Sequence, residues 1–179
     1  MTTPSSPDLA IQPNDKQPKD IQPNSDEFFL ARAIELARMG SESGDGGPFG
    51  AVIVGDGKII AEGWNQVVAH CDPTAHAEVM AIRKASATVH SFHLAKTTLY
   101  ASSEPCPMCL SAAYWARIGR IVFANSRAEA AAIGFCDAEL YDELSRDHST
   151  RRIVMEHHPM PDALAPLAAW ANNTKRTCY

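Results

Sequence analysis

Two short motifs that carry metal-ligand residue types constrain this chain more than any other feature. The first is His76-Ala77-Glu78, and the second is Pro105-Cys106-Pro107-Met108-Cys109, with 26 residues between them. Cys106 and Cys109 are three positions apart at the predicted start of a helix, which places both sulfur atoms on one helix face. His76 also lies near a predicted helix start, so it can supply a third ligand if the two helices lie side by side. Thiolate and imidazole are ligands that suit zinc.

Three protein ligands leave the fourth position of a tetrahedral zinc ion open, which is typical of catalytic zinc. We therefore expect one zinc ion per chain, held by His76, Cys106 and Cys109. Glu78 is available as a base. Because residues two positions apart do not share a helix face, His76 and Glu78 can reach one site only if it lies beyond the helix end, near the axis. A non-enzymatic zinc protein is a weaker alternative, since a purely structural site has no use for Glu78.

The hydrophobic pattern predicts an α/β domain over residues 25–179, with Ser25 as the cap of the first helix. Two strands joined by the turn Gly55-Asp56-Gly57 form a predicted hairpin, and helices and strands alternate after it. This order indicates one mixed sheet with helices on its faces. The predicted strands cover residues 49–54, 58–63, 98–102, 120–124 and 152–156, and the predicted helices cover residues 25–40, 73–87, 107–119, 128–133, 138–146 and 162–173.

Composition narrows the possible setting and partners of the chain. Residues 1–24 are polar and contain five of the twelve prolines, which predicts a disordered tail. No apolar run is long enough to span a membrane, so we expect a cytoplasmic protein without a membrane partner. The net charge is −5 and the isoelectric point is about 5.8, which disfavours a nucleic-acid partner. Two short basic pairs, Arg151-Arg152 and Lys175-Arg176, do not form a basic strip.

Over residues 25–179, the sequence resembles the cytidine deaminase-like zinc hydrolases. Within that family, it is most similar to the short bacterial guanine deaminases. The zinc motifs are shared with tRNA adenosine deaminases and do not discriminate. Guanine deaminases commonly carry Gly-Phe-Asp-Asp where this chain has Gly134-Phe135-Cys136-Asp137, and they end in an aromatic residue, here Tyr179. The runs that carry the resemblance are residues 46–54, 72–78, 104–109, 114–117 and 132–137.

The resemblance implies a cytidine deaminase-like three-layer α/β/α sandwich around a mixed five-stranded sheet. It implies Glu78 as the proton carrier and Asp137 as a second proton-handling carboxylate, and the substrate contacts that it implies are Asn65, Phe49, Ala77, Trp115 and Tyr179. In the bacterial relatives the C-terminal segment is exchanged between two subunits. The resemblance therefore implies a homodimer in which Asp137 and Tyr179 serve the active site of the other subunit.

The function that follows is zinc-dependent hydrolytic deamination of a small purine base, guanine, to xanthine and ammonia. A guanosine deaminase would use the same chemistry with a pocket open toward the sugar. A tRNA adenosine deaminase would need a basic path to the metal, which the charge balance disfavours.

Overall fold

A computed structural model of the protein describes residues 21–179. They belong to two compact units, one ending at Cys136 and the other spanning Asp137–Tyr179. The predicted tail covers residues 1–24, and its residues 1–20 lie outside the described residues. The described residues start with a turn in which the Ser25 amide donates to the Gln22 carbonyl at 3.1 Å. No helix within residues 21–179 is long and apolar enough to cross a membrane.

The first helix, α1 (Asp26–Glu42), begins at the predicted cap. The Ser25 hydroxyl accepts a hydrogen bond from the Phe28 amide at 3.2 Å, and Asp26 and Glu27 occupy the first turn. This satisfies one of the free amides at the helix start, and the two carboxylates meet the positive end of the helix dipole.

A four-stranded mixed sheet forms the centre of the first unit. Its strands are β1 (Gly50–Gly55), β2 (Lys58–Trp64), β3 (Thr97–Ser103) and β4 (Arg120–Asn125). The spatial order is β2-β1-β3-β4. Strand β1 is antiparallel to both of its neighbours, and β3 and β4 are parallel. The predicted hairpin is thus confirmed. Strands β1 and β3 each pair with a strand on both sides.

Helices cover both faces of this sheet, so the predicted three layers are present. Alternate residues of β1 point to opposite faces, and every residue from Gly50 to Val54 is buried. One face packs on α1 through Phe29, Ala33, Leu36, Val52, Val54 and Tyr100. The other face packs on α3 (Ala77–Thr88) and α4 (Pro107–Trp115) through Ala51, Ile53, Leu99, Ala81, Ala85 and Ala113.

Short connections complete the first unit. A one-turn helix, α2 (Val67–His70), follows β2, and α5 (Arg127–Ala132) follows β4. Helix α3 begins four residues later than residue 73, where the sequence predicted it. The cause is a turn in which the Asp72 carboxylate accepts hydrogen bonds from the Thr74 amide and hydroxyl, at 2.8 and 2.7 Å. This side-chain turn competes with the first helical turn.

The second unit contains α6 (Ala138–Ser145), a 3₁₀ turn (His148–Thr150) and α7 (Ala165–Asn172). The fifth strand, expected over residues 152–156, is a wrong prediction, because that segment is irregular and the sheet has four strands. A strand needs a neighbouring strand for its backbone hydrogen bonds, and this unit contains none. The amide of Arg152 instead donates to the Glu143 carboxylate at 2.8 Å, and Ile153 and Val154 are each 78% exposed.

Candidate active site

Two helix starts bring the predicted metal ligands together. His76 is the N-cap residue of α3 and Cys106 is the N-cap residue of α4, each with extended backbone, and Cys109 lies in the first turn of α4. Both helices pack on the same sheet face, so their N-termini meet. The partial positive charge of a helix N-terminus stabilises thiolates, which suits two cysteines at this position.

The three donor atoms have the spacing of a tetrahedral metal site. His76 Nδ1 lies 3.6 Å from Cys106 Sγ and 3.5 Å from Cys109 Sγ, and all three donor atoms lie within 4.8 Å of one another. Zinc–ligand bonds of about 2.0–2.3 Å in a tetrahedron separate such donors by about 3.5–3.8 Å. The cluster therefore fits zinc, with Nδ1 as the imidazole donor.

The two cysteines shift the pKa of each other in opposite directions. The pKa of the Cys106 thiol is lowered to about 4, first by its hydrogen bond with Cys109 and also by His76. The hydrogen bond with Cys106, together with burial, raises the pKa of Cys109. With protons alone, the cluster holds one thiolate and one thiol. Cysteines that bind zinc are both thiolates, and the charge of the ion offsets the repulsion between them.

Glu78 lies in the first turn of α3, at the same helix end as His76. It is the second helical residue, whereas His76 lies one position before the helix, so both side chains reach the region beyond the helix end. The Glu78 side chain is only 7% exposed. Burial raises the pKa of its carboxyl group, and the hydrogen bond with the Cys109 thiol opposes that shift. A carboxyl group in such surroundings can both accept and return a proton.

The comparison that decides the family covers this site. The family model for the cytidine and deoxycytidylate deaminase zinc-binding region matches residues 23–125, which include all three ligands and Glu78. The chain belongs to the cytidine and deoxycytidylate deaminase family. The zinc site is therefore the site that this family shares.

Relatives within the deaminase family share different amounts of the chain. Guanine deaminase of Bacillus subtilis is 47% identical over 153 residues, which cover 86% of this chain and 98% of that protein, and its X-ray structure gives a TM-score of 0.83. A guanine deaminase structure from Nitrosomonas europaea is 32% identical, with a TM-score of 0.60 over 63% of this chain and 65% of that one. A tRNA-specific adenosine deaminase of Haemophilus influenzae is 38% identical over 72% of this chain and 74% of that protein.

Two of the predicted substrate contacts, Asn65 and Phe49, are joined by a hydrogen bond. Asn65 follows β2 and is 5% exposed; its amide donates to the Phe49 carbonyl at 2.9 Å. The Asn65 side-chain oxygen accepts from the amides of Gly47 and Val67, each at 3.2 Å. The Phe49 ring packs edge-on against Phe135 with centroids 4.8 Å apart.

The other predicted contacts have different positions. The Ala77 side chain is fully buried in the core, so a contact there would be made by its backbone. Trp115 is the last residue of α4 and is 69% exposed. It lies six residues after Cys109, or about 9 Å along the helix axis, at the end of α4 opposite to the metal ligands. Asp137 and Tyr179 belong to the second unit.

Sequence reasoning missed the residues that hold Asn65 in place. Gly46 is one of them, because a side chain at residue 46 would overlap the Asn65 side-chain oxygen. Asp45 is another: its carboxylate accepts a hydrogen bond from the Trp64 indole at 2.7 Å. The cluster of glycines around Gly46 was a signal for close backbone approach, but no pattern in the sequence pairs Asp45 with Trp64.

Proposed function

We propose that the protein is a zinc-dependent guanine deaminase, which hydrolyses guanine to xanthine and ammonia in the cytoplasm. One observation carries the proposal. The identity to a guanine deaminase extends over 98% of that protein, and so beyond the zinc-binding region that all members of the family share. The converged ligands and the buried Glu78 supply the chemistry that such a reaction needs.

The geometry of the site supports the following roles. His76, Cys106 and Cys109 would hold a zinc ion, which when bound would supply Lewis-acid activation of a water molecule as the nucleophile. A carboxylate oxygen of Glu78 would take one proton from that water and deliver it to a ring nitrogen of the purine. The water oxygen replaces the amino group at C2, and the second water proton leaves with that group as ammonia. The products balance: guanine and water give xanthine and ammonia.

Purine recognition is assigned to the loop beside this site. Because two backbone amides occupy the Asn65 side-chain oxygen, its NH₂ group is the end that can donate to a purine nitrogen or carbonyl oxygen. The Phe49 ring offers an apolar surface for the base, and Ala77 offers its backbone. Trp115 remains a proposed contact with less support, because its ring lies at the far end of α4.

A homodimer with exchanged C-terminal segments completes the proposal. Asp137 would assist departure of the amino group, and Tyr179 would cover the bound base, each in the active site of the other subunit. The support is that residues 137–179 include no buried residue, although they carry many apolar side chains. Such a segment gains stability when another surface covers it.

The deciding experiment measures ammonia release by the purified zinc protein with guanine, guanosine and a tRNA anticodon stem-loop that carries adenosine. We expect turnover of guanine to exceed turnover of the other two by at least about 100-fold, since the proposed cover of Tyr179 over the base would exclude a sugar. A preference for guanosine or for the stem-loop would identify that compound, rather than guanine, as the substrate. Absence of ammonia release with all three would overturn the proposed function.

A further inference from the structure

Several hydrogen bonds around Asn65 join the loop before β1 to the end of β2 and to α2. The Asp45 carbonyl accepts from the amides of Val68 and Ala69, both at 3.0 Å. The Gly47 amide donates to the Asn65 side chain at 3.2 Å, and the Asn65 amide donates to Phe49. These bonds fix the position of the Asn65 amide relative to the Phe49 ring.

One side-chain bond closes this arrangement at its outer end. Trp64 Nε1 donates to Asp45 Oδ2 at 2.7 Å, the short distance typical of a hydrogen bond to a carboxylate. Trp64 directly precedes Asn65, and Asp45 directly precedes Gly46. The bond therefore joins the two chain segments one residue away from the contact between Gly46 and Asn65.

The Trp64 ring is itself held by two contacts. A Cβ atom at Gly40 would lie 2.5 Å from Trp64 Cδ1, so α1 approaches the ring closely only because residue 40 has no side chain. Lys84 Nζ of α3 also contacts the ring, 4.7 Å from its centroid, a cation–π distance. A ring held in this way keeps its Nε1–H directed at Asp45.

The same segment is also connected to the metal ligands. The amide of Gln66, which follows Asn65, donates to the Ala75 carbonyl at 2.9 Å. Ala75 immediately precedes His76, so a shift of the Asn65 segment changes its distance from the metal site.

From these contacts we propose that the Trp64–Asp45 hydrogen bond positions the purine-recognition residues: it sets the spacing of Asn65, Phe49 and the metal site that binds guanine productively. Trp64 and Asp45 are positioning residues, since they act through Asn65 and the loop rather than on the substrate. The inference rests on the proposed guanine deaminase function.

The test compares Trp64→Phe, which keeps an aromatic ring but removes the Nε1–H donor, with Asp45→Ala and Asp45→Asn. We expect Trp64→Phe and Asp45→Ala each to raise KM for guanine about tenfold, as expected for the loss of one hydrogen bond to a charged group. We expect kcat to change less than about threefold and zinc content to stay at one ion per chain. Asp45→Asn retains an acceptor oxygen and is expected to keep KM near the wild-type value.

Two further measurements separate positioning from general stability. The double variant Trp64→Phe/Asp45→Ala is expected to be no worse than either single variant, because both remove the same bond. Hydrogen exchange is expected to be at least about tenfold faster for the Gly47 and Val67 amides in Trp64→Phe, because these amides bond to Asn65.

Glu62→Gln is the matched control, because it weakens another side-chain contact of β2 by removing the charge from the 2.7 Å ion pair with Arg32. It is expected to lower the Tm without changing KM or the exchange of the Gly47 amide. The inference is overturned if Trp64→Phe lowers only the Tm, as Glu62→Gln does. If the wild-type protein releases no ammonia from guanine, the proposed function fails instead, and the exchange measurement still decides whether the bond holds the loop.

Discussion

Glu78 combines burial with a position directly beside the metal ligands. Among the residues that the structure describes, it is the only buried side chain with an ionisable carboxyl group. Glu78→Gln keeps the size of the side chain and removes the proton carrier. We expect the variant to retain its fold and one zinc ion per chain while kcat for guanine falls about 10²–10⁴-fold, as measured by ammonia release with elemental analysis of the same sample.

Glu35→Gln makes the same chemical change on the exposed face of α1, where Glu35 pairs with Arg38 at 2.7 Å. We expect normal kcat and zinc content in this control. The proton-carrier role of Glu78 would have to be abandoned if Glu78→Gln bound zinc and released ammonia at the rate of Glu35→Gln.

The cysteines of the chain differ in their relation to the metal site. Cys106→Ala removes one of three ligands, so we expect loss of zinc and a lower Tm, because metal binding contributes to folding. Cys71→Ala is the matched control. Cys71 lies five residues before His76 but is exposed, and it does not belong to the donor cluster. Elemental analysis should find one zinc ion per chain in Cys71→Ala and much less in Cys106→Ala; equal zinc content would refute the ligand assignment.

At the scale of elements, a polar cluster connects α1 to the sheet. Arg120 of β4 donates two hydrogen bonds to the Asp26 carboxylate, at 2.8 and 2.6 Å, and the Tyr100 hydroxyl of β3 donates a third at 2.7 Å. The bond with Arg120, followed by that with Tyr100, lowers the pKa of Asp26 from 3.8 to about 2. A carboxyl group with a lower pKa in the folded state stabilises the fold above its unfolded pKa.

The stability that Asp26 contributes should therefore be complete above about pH 4 and disappear as the pH falls through about 2. We expect Asp26→Asn to lower the free energy of unfolding at pH 7, with a difference from wild type that shrinks below pH 4. Glu27→Gln removes a neighbouring charge from the same helix turn and controls for the helix dipole. Denaturant unfolding from pH 3 to 7 checks this; a difference that is constant with pH, or equal to that of Glu27→Gln, would contradict it.

The elements that the sequence predicted well are those with local signals. The cap at Ser25, the hairpin turn at Gly55-Asp56-Gly57 and the cysteine-containing helix start each depend on neighbouring residues, and the structure contains all three. The strand expected over residues 152–156 has β-branched residues, but it lacks a neighbouring strand in its own unit. Strand formation depends on a partner that the local sequence does not report.

In the candidate site, too, the residues with local sequence signals were predicted and those that depend on the packed fold were not. The order and spacing of His76, Glu78, Cys106 and Cys109 indicated one cluster, because helix starts are recognisable and the residue types are specific to zinc chemistry. The contacts of Trp64 with Asp45, Gly40 and Lys84 join residues from three separate elements. Only the packed fold brings these residues together, so no spacing rule could predict them.

At the scale of the whole molecule, the second unit has an unusual surface. None of its residues is buried. Segments of about 40 residues bury too little surface to be stable alone, so an uncovered apolar face of this extent requires a partner surface. Its exposed apolar residues include Leu140, Leu144, Ile153, Val154, Leu164, Leu167 and Trp170. The proposed exchange between two copies supplies such a surface and places Tyr179 in the neighbouring active site.

Mixed dimers test this exchange directly. A Glu78→Gln chain and a chain lacking residues 175–179 are each expected to be nearly inactive, the first without its proton carrier and the second without Tyr179. When the two chains are co-expressed with different affinity tags, one site of each mixed dimer combines an intact Glu78 with a complete segment from the other subunit. With random pairing, half of the dimers are mixed, and one of the two sites in each mixed dimer is complete. About a quarter of wild-type turnover should therefore return.

The matched control is co-expression of the chain lacking residues 175–179 with a chain that carries both changes, since no pairing of these chains assembles a complete site. We expect no recovery of turnover in this control. Tandem affinity purification isolates the mixed dimers in both cases. Mixed dimers that are isolated and contain zinc but remain as inactive as the control would refute the exchange, because a segment serving its own subunit cannot complement the other chain. The zinc chemistry would be unaffected by that outcome, since Cys106→Ala and Glu78→Gln test it separately.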